Sequence, residues 1–397
     1  MVLAATSKPS PLRLGPLSDF RLSQRIVAHK LMADALPADL RARIGTPITS
    51  GTRDESASFA VIQDYYPLFV RVSDPSVPEG ERVEVLRYFS KIVLNEHGQP
   101  QDGADPSAPY REGQSAYRSQ PKRYGAPTRV THLLTRTLPL LAEKGNLVLT
   151  DRYVISTDKL ARDNSVELAE LTRQLRAIPQ LDRESIQHFA EQLRLAGYRA
   201  RSSEEVRGVL SDQLGIPRSN ALLLPVLPGD KVGHSDTYVG SIQGDTVAVP
   251  RVHERAIELL GPDFGHEKAF ARGINAFLDA QARRLREAGL TVERPLMLPP
   301  KNLKHSSLSA LGWDADFLSP VNWAIHDGTV YVPTYESALD YLPEETRAEI
   351  IRELRSSVRE AVEKHGLKAS FHDARKLVGT GAGFHCITSN IWAPEPI

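Results

Sequence analysis

Cysteine is nearly missing from this chain: there is one in 397 residues, Cys386. A single thiol excludes an intramolecular disulfide and any zinc site built from several cysteines. A surplus of one charge sign is missing too. Lys+Arg and Asp+Glu both number 49, so no net field draws the protein to nucleic acid or to an anionic membrane. Neither a basic run nor an acidic tail appears. No apolar run approaches the ~20 residues that span a bilayer. Residues 1–11 lack a basic stretch followed by an apolar one, so no signal peptide is expected. These gaps lead to the expectation of a cytoplasmic globular protein, in a reducing compartment that keeps a thiol free.

What is present is a recurring alternation of helices and short hairpins. Residues 1–16 are rich in Pro and Ser. Leu22 to Arg43 carries apolar residues at helical spacing, which predicts one or two helices. Phe59 to Val72 reads as two strands with a break, and Val83 to Leu94 as a mixed segment that suits a strand. Asn95 to Ala126 is a long loop rich in Gly, Pro, Ser and Gln, of the length often used as a lid. Thr128 to Ala142 has a helical pattern. Hairpins are predicted at 145–156, 237–249 and 323–333, the last around Asp327-Gly328, a favourable two-residue turn. Fragments of the same kind lie at 59–72 and 378–391. Amphipathic helices are expected at Leu160 to Leu175, Asp182 to Leu195, Glu204 to Leu214, Glu267 to Glu287 and Leu342 to His365. No linker separates two autonomous halves. The division expected is an extension with helices over 1–55 and one α/β domain over 56–397, with a helical insertion at 160–215.

The cysteine sits in Gly379-Thr380-Gly381-Ala382-Gly383-Phe384-His385-Cys386-Ile387-Thr388-Ser389-Asn390. Glycines there let the backbone turn sharply and approach a ligand closely. Such a thiol is either a nucleophile shown to a cleft or a small buried hydrophobe. Other polar residues fall beside predicted strands: Asp64, Glu143, and His234 with Asp236. Read one at a time, Asp64 is a turn cap, Glu143 a solvated helix end, and His234-x-Asp236 a structural hydrogen bond or a catalytic pair. In an extended segment, His234 and Asp236 would share a face.

Taken in order, four stretches resemble the guanidine-modifying (pentein) superfamily, and most of all its branch of agmatine deiminases and bacterial peptidyl-arginine deiminases. Gln63-Asp64-Tyr65-Tyr66-Pro67-Leu68-Phe69 resembles that branch's Arg-Asp-x-Gly-Pro-x-Phe. Glu143-Lys144-Gly145-Asn146 resembles Glu-Gly-Gly-Asn. Gly233-His234-Ser235-Asp236 resembles Gly-His-hydrophobe-Asp. Gly381 to Thr388 resembles Gly-Gly-Gly-x-His-Cys-x-Thr. Gln63, Tyr66, Lys144 and Ser389-Asn390 depart from the pattern. The resemblance implies a five-bladed α/β-propeller of ββαβ-like units around a central site.

It also implies a chemistry. A guanidinium carbon is a poor electrophile, and a thiolate is the side-chain nucleophile best suited to it near neutral pH. Carboxylates match a planar, forked cation. By the resemblance, Cys386 attacks the carbon, His234 serves as acid and then base, and Glu143 pairs with the substrate nitrogens and with His234. Asp64 and Asp236 hold the guanidinium. Asn322, Ser319 and Trp392 are further pocket candidates, or else turn residues and a core aromatic. His385 is assigned to structure, because neighbours on a strand face opposite ways. Neither a metal nor a cofactor is expected, since a second histidine ligand is not supplied and no His-x-x-x-His spacing occurs. The implied partner is a small arginine- or agmatine-type guanidine, or an arginine in a peptide. Homo-oligomerisation is left open; nucleic acid and membrane are not expected partners. Two other readings stay open: an amidinotransferase using the same thiol intermediate with an amine acceptor, and a pentein-fold protein that binds a cation without turnover. The leading reading is a cysteine-dependent hydrolase that turns the guanidine into a ureido group with release of ammonia, and a dimethylarginine-type hydrolase is a narrower form of it.

Overall fold

The computed structural model describes residues 20–28, 36–43, 68–71, 83–89, 135–177, 183–230, 232–261, 263–306, 311–377 and 383–396. Asp64 and its neighbours, and the 95–126 loop, lie outside the described residues, as do 378–382 before the cysteine.

One strand order recurs in four three-stranded sheets among the described residues. In each, a hairpin is followed by a crossover, and a third strand then lies parallel to the hairpin's second strand. Leu68–Arg71 pairs antiparallel with Val83–Phe89, which pairs parallel with Thr135–Leu141. Val148–Leu149, Val154–Thr157 and Ala221–Leu224 repeat the order. So do Gly240–Ser241, Thr246–Ala248 and Thr291–Glu293. Ala324–His326, Thr329–Thr334 and Lys368–Asp373 do so again. The parallel third strand requires a long crossover, and in the second, third and fourth units helices lie in it. The architecture is therefore mixed α/β, built on a repeated ββαβ-like unit.

The hairpins at 145–156, 237–249 and 323–333 are found within one to three residues of their expected limits. Asp327 and Gly328 form the last turn with φ of 47° and 69°, the left-handed conformation that a two-residue hairpin loop needs. Each crossover helix buries its apolar stripe on its own sheet. Val206 and Leu210 of Ser203–Leu214 pack with Val154, Ala221 and Leu223. Phe270, Ile274, Leu278 and Leu285 of Gly265–Glu287 pack with Val247 and Val292. Val358 and Val362 of Glu344–Glu363 pack with Val330 and Val332. The helices Lys159–Asp163, Leu168–Arg176, Arg183–Leu195 and Ser203–Leu214 all fall within the crossover of the second unit.

Three local expectations are corrected. Phe20–Ala28 is a strand, not a helix, and pairs antiparallel with Thr388–Pro396 over nine residue pairs; among the described residues of that region the helix is Ala38–Arg43. Thr135–Leu141 is likewise a strand. Both segments are strands because they pair with segments distant in the chain, which local apolar spacing does not show. Finally, Cys386 lies in the short helix Phe384–Ile387 and not on a strand. Among the described residues no helix is long and apolar enough to cross a membrane.

Candidate active site

The polar residues of the second, third and fourth stretches sit where strands start or stop. Glu143 follows the strand Thr135–Leu141, at the mouth of the 3-10 turn Lys144–Asn146. His234 precedes the 3-10 turn Ser235–Thr237, which holds Asp236. Asn322 stands two residues before the strand Ala324–His326. These positions lie at the ends of different units, and the fold brings them together.

Asn146 ties the second stretch to the third. Its Oδ1 accepts from the Thr157 backbone N–H at 2.8 Å and from the Ser235 N–H at 3.1 Å. The Thr157 hydroxyl donates to Gly233 O at 2.6 Å. The loop bearing His234 is thereby pinned to the loop bearing Glu143. All of these groups are buried, so each bond also satisfies a polar group removed from water.

His234 Nε2 lies 2.7 Å from Glu143 Oε2. The same oxygen accepts from Lys159 Nζ at 2.5 Å, and Lys159 also donates to Asp163 Oδ2 at 2.9 Å. Burial by itself would raise the carboxyl's pKa, but Lys159 and His234 outweigh it and hold Glu143 well below the usual carboxylate range. Burial likewise disfavours the Lys159 ammonium, yet Glu143 and Asp163 raise its pKa above the ordinary lysine value. An ionised Glu143 can only accept, so His234 Nε2 carries a proton and donates it. Proton exchange with anything in the site then falls to Nδ1.

Gly145 shows where that nitrogen lies. A Cβ at 145 would sit 2.5 Å from His234 Nδ1 and 3.1 Å from Asp236 Oδ2. The imidazole therefore lies flat over the glycine, beside the aspartate. His234 and Asp236 do converge as expected, through a 3-10 turn and not an extended segment.

Asp236 leads to the thiol. Its Oδ2 is 3.7 Å from Cys386 Sγ and 2.9 Å from His385 Nδ1. Its Oδ1 is buried and accepts no hydrogen bond among the described residues. Asn322 holds the sulfur from the other side: its Nδ2 is 3.2 Å from Sγ and 3.2 Å from Asp236 O, and its Oδ1 accepts the Cys386 N–H at 3.3 Å. Gly383 leaves room for this amide, since a Cβ there would meet Asn322 Oδ1 at 2.5 Å. The thiol side chain is also packed with apolar neighbours that include Tyr335 and Phe384. Burial raises the Tyr335 phenol well above its ordinary pKa, and a charge on Cys386 adds to that.

Of the residues named from sequence, Cys386, His234, Glu143, Asp236 and Asn322 meet in one connected cluster. Ser319 is buried in the segment leading to Asn322, and its hydroxyl makes no hydrogen bond among the described residues. Trp392 lies on Thr388–Pro396 in register with Gln24; its side chain, like Asp64 as a whole, is outside the description. Two participants were missed by sequence reasoning. His385 was set aside as facing away, which holds on a strand; on a helical turn adjacent side chains diverge by only ~100°, and both it and Cys386 reach Asp236. Lys159 gave no local signal, because its partner Glu143 is 16 residues away and across a hairpin.

Comparison with known proteins supports this architecture. No protein-family profile matches the chain, and a search of curated proteins finds no relative. Solved structures do align with it. The agmatine deiminase of Enterococcus faecalis is 15% identical, with 92% of this chain and 81% of that one covered and a TM-score of 0.51. A C. jejuni agmatine deiminase with substrate bound is 12% identical, covering 89% and 78%, with a TM-score of 0.48. A putative arginine deiminase of Porphyromonas gingivalis is 17% identical, covering 91% and 82%, with a TM-score of 0.48. At these identities the likeness concerns the fold, and the E. faecalis alignment carries it. The chain therefore shares the fold of that E. faecalis enzyme, the mixed α/β pentein fold.

Proposed function

We propose that this protein is a cysteine-dependent hydrolase of guanidines, converting a guanidinium to a ureido group with release of ammonia. The observation that carries the reading is Asp236. One of its oxygens faces the only thiol of the chain, and the other is buried without a donor among the described residues. A carboxylate oxygen left so is costly, and a planar cation with several N–H groups satisfies it while setting its carbon beside the sulfur.

On this reading Asp236 holds the guanidinium, with Asp64 as a second carboxylate, and the five-bladed arrangement closes around them. The Cys386 thiolate adds to the guanidinium carbon. The C–N bond to the leaving nitrogen breaks as His234 protonates it, giving ammonia and a covalent amidino-thioether. Water then adds to that carbon, His234 takes its proton, and the C–S bond breaks to return the thiolate and release the urea. Glu143 keeps the imidazole oriented in both steps. The E. faecalis neighbour is an agmatine deiminase, which favours a substrate of the arginine or agmatine type, free or within a peptide.

The test is a panel of free arginine, agmatine and arginine peptides, assayed for ammonia and ureido product without any amine acceptor. Turnover is expected with wild type and none with Cys386→Ala. Product only when an amine is added would make the protein an amidinotransferase instead. No turnover together with no labelling of Cys386 by a haloacetamidine would leave a cation-binding protein.

A further inference from the structure

We propose that Lys159 is a positioning residue for His234: by sharing Glu143 Oε2 it directs that carboxylate toward the imidazole and sets the proton affinity of the acid–base group. The inference rests on the deiminase reading for its catalytic meaning, though not for its geometry.

The arrangement is built and not incidental. The Lys159 side chain is only 12% exposed, and an ammonium so far withdrawn from water needs anionic partners. Two carboxylates serve, at 2.5 Å and 2.9 Å. Its stem also has a seat. Gly233, with φ of +74°, would place a Cβ 3.0 Å from Lys159 Cδ. The glycine before His234 thus leaves room for the lysine, as Gly145 leaves room for the imidazole ring. Both known donors to Glu143 converge on Oε2, from opposite partners: His234 Nε2 and Lys159 Nζ.

A consequence follows from charge. A lone buried glutamate beside an imidazole would favour imidazolium strongly, making it a poor acid for the first step and leaving little of the neutral ring that the second step needs. A fixed cation on the same oxygen weakens that pull. Asp163, behind the lysine, tempers the cation in turn. Charged or titratable groups that also face His234 include Asp230 and Asp236, and through Asp236 the side chains of His385 and Cys386. Much of Glu143's charge is spent inside this pair, so the substrate cation is left chiefly to Asp236 and its open oxygen.

The experiment is an NMR titration of the His234 imidazole in the full chain, its resonance assigned by loss in His234→Asn. Lys159→Met is expected to move the midpoint up by about one pH unit, within the range a nearby charge produces. Asp163→Asn, which strengthens the lysine's hold on Glu143, is expected to move it down. Lys159→Arg restores the wild-type midpoint. In turnover, Lys159→Met shifts the acid limb of kcat by the same amount and leaves KM unchanged. A merely structural lysine would not give opposite shifts, so equal midpoints, or shifts of one sign in both variants, overturn the proposal. If Lys159→Met does not fold, Asp163→Asn decides: a downward shift supports the proposal and no shift sinks it. Wild type without turnover or Cys386 labelling would sink the deiminase reading separately, because the titration needs no substrate.

Discussion

A single hydrogen atom at position 145 decides whether the imidazole can lie where it does. His234 Nδ1 occupies the space a Cβ would need, and its ring is held in place by Glu143 while Asp236 is held by His385. Neither neighbour is the free end of a flexible chain. Gly145→Ala is therefore expected to push the ring aside at an overpacking cost of about 1–3 kcal/mol. Misplacement on the order of 1 Å costs roughly 100-fold in rate, so the fall in kcat/KM should exceed anything the melting temperature suggests. Gly265→Ala is the matched control, since a Cβ there meets nothing within 4 Å and φ is not positive. Steady-state kinetics with a thermal melt on both variants checks this; an active Gly145→Ala would mean that Nδ1 is not the working nitrogen. The glycine was legible in the sequence as part of a four-residue resemblance, but its reason was not. The clash is with residues about 90 positions away, and no local pattern encodes that.

Among elements, Asn322 is the joint between the hairpin it precedes and the helical turn that carries the thiol. Its backbone oxygen accepts the His385 N–H at 3.1 Å, and its side chain meets Cys386 N, Cys386 Sγ and Asp236 O. Asn322→Ala leaves the buried Cys386 N–H without its acceptor, a loss of about 1–3 kcal/mol, and frees the sulfur to rotate. The expected outcome is a lower melting temperature and at least tenfold slower labelling of Cys386 by a haloacetamidine. Normal labelling would reduce Asn322 to a structural strut. The sequence pointed to Asn322 only as one pocket candidate among three. It pointed to the hairpins far better, because a short apolar alternation around a polar turn is a local signal. Asp327-Gly328 is the plain case: the two residue types that tolerate positive φ stand where the turn needs it. Thr135–Leu141 and Phe20–Ala28 were misread for the converse reason. Their partners, Val83–Phe89 and Thr388–Pro396, lie far off in the chain, and only pairing makes them strands. His385 belongs with them, since its facing depended on whether its segment was strand or helix.

At the scale of the molecule, the site is made from the ends of units that have little contact in sequence. Glu143 and His234 are 91 positions apart, Asn322 and Cys386 64, and Asp236 and Cys386 150. Such a site is only as well positioned as the assembly that brings its parts together. The segment with the nucleophile is the most exposed to this, because Phe384–Ile387 is a single helical turn and Thr388 follows at once. What anchors it on the far side is the ladder with Phe20–Ala28, whose nearest rung to the cysteine is Ala28 with Thr388. The early strand, expected to belong to an extension, is thus coupled to the thiol. Proline at Ile26 would remove a donor from the ladder and disfavour its geometry. At about 0.5–1.5 kcal/mol for each backbone hydrogen bond, opening several rungs costs a few kcal/mol. Ile26→Pro in the full chain should lower the melting temperature, and it should also slow labelling of Cys386 well below the melt, where the protein is still folded. A lower melt with unchanged labelling would show that the ladder holds the chain together without positioning the sulfur.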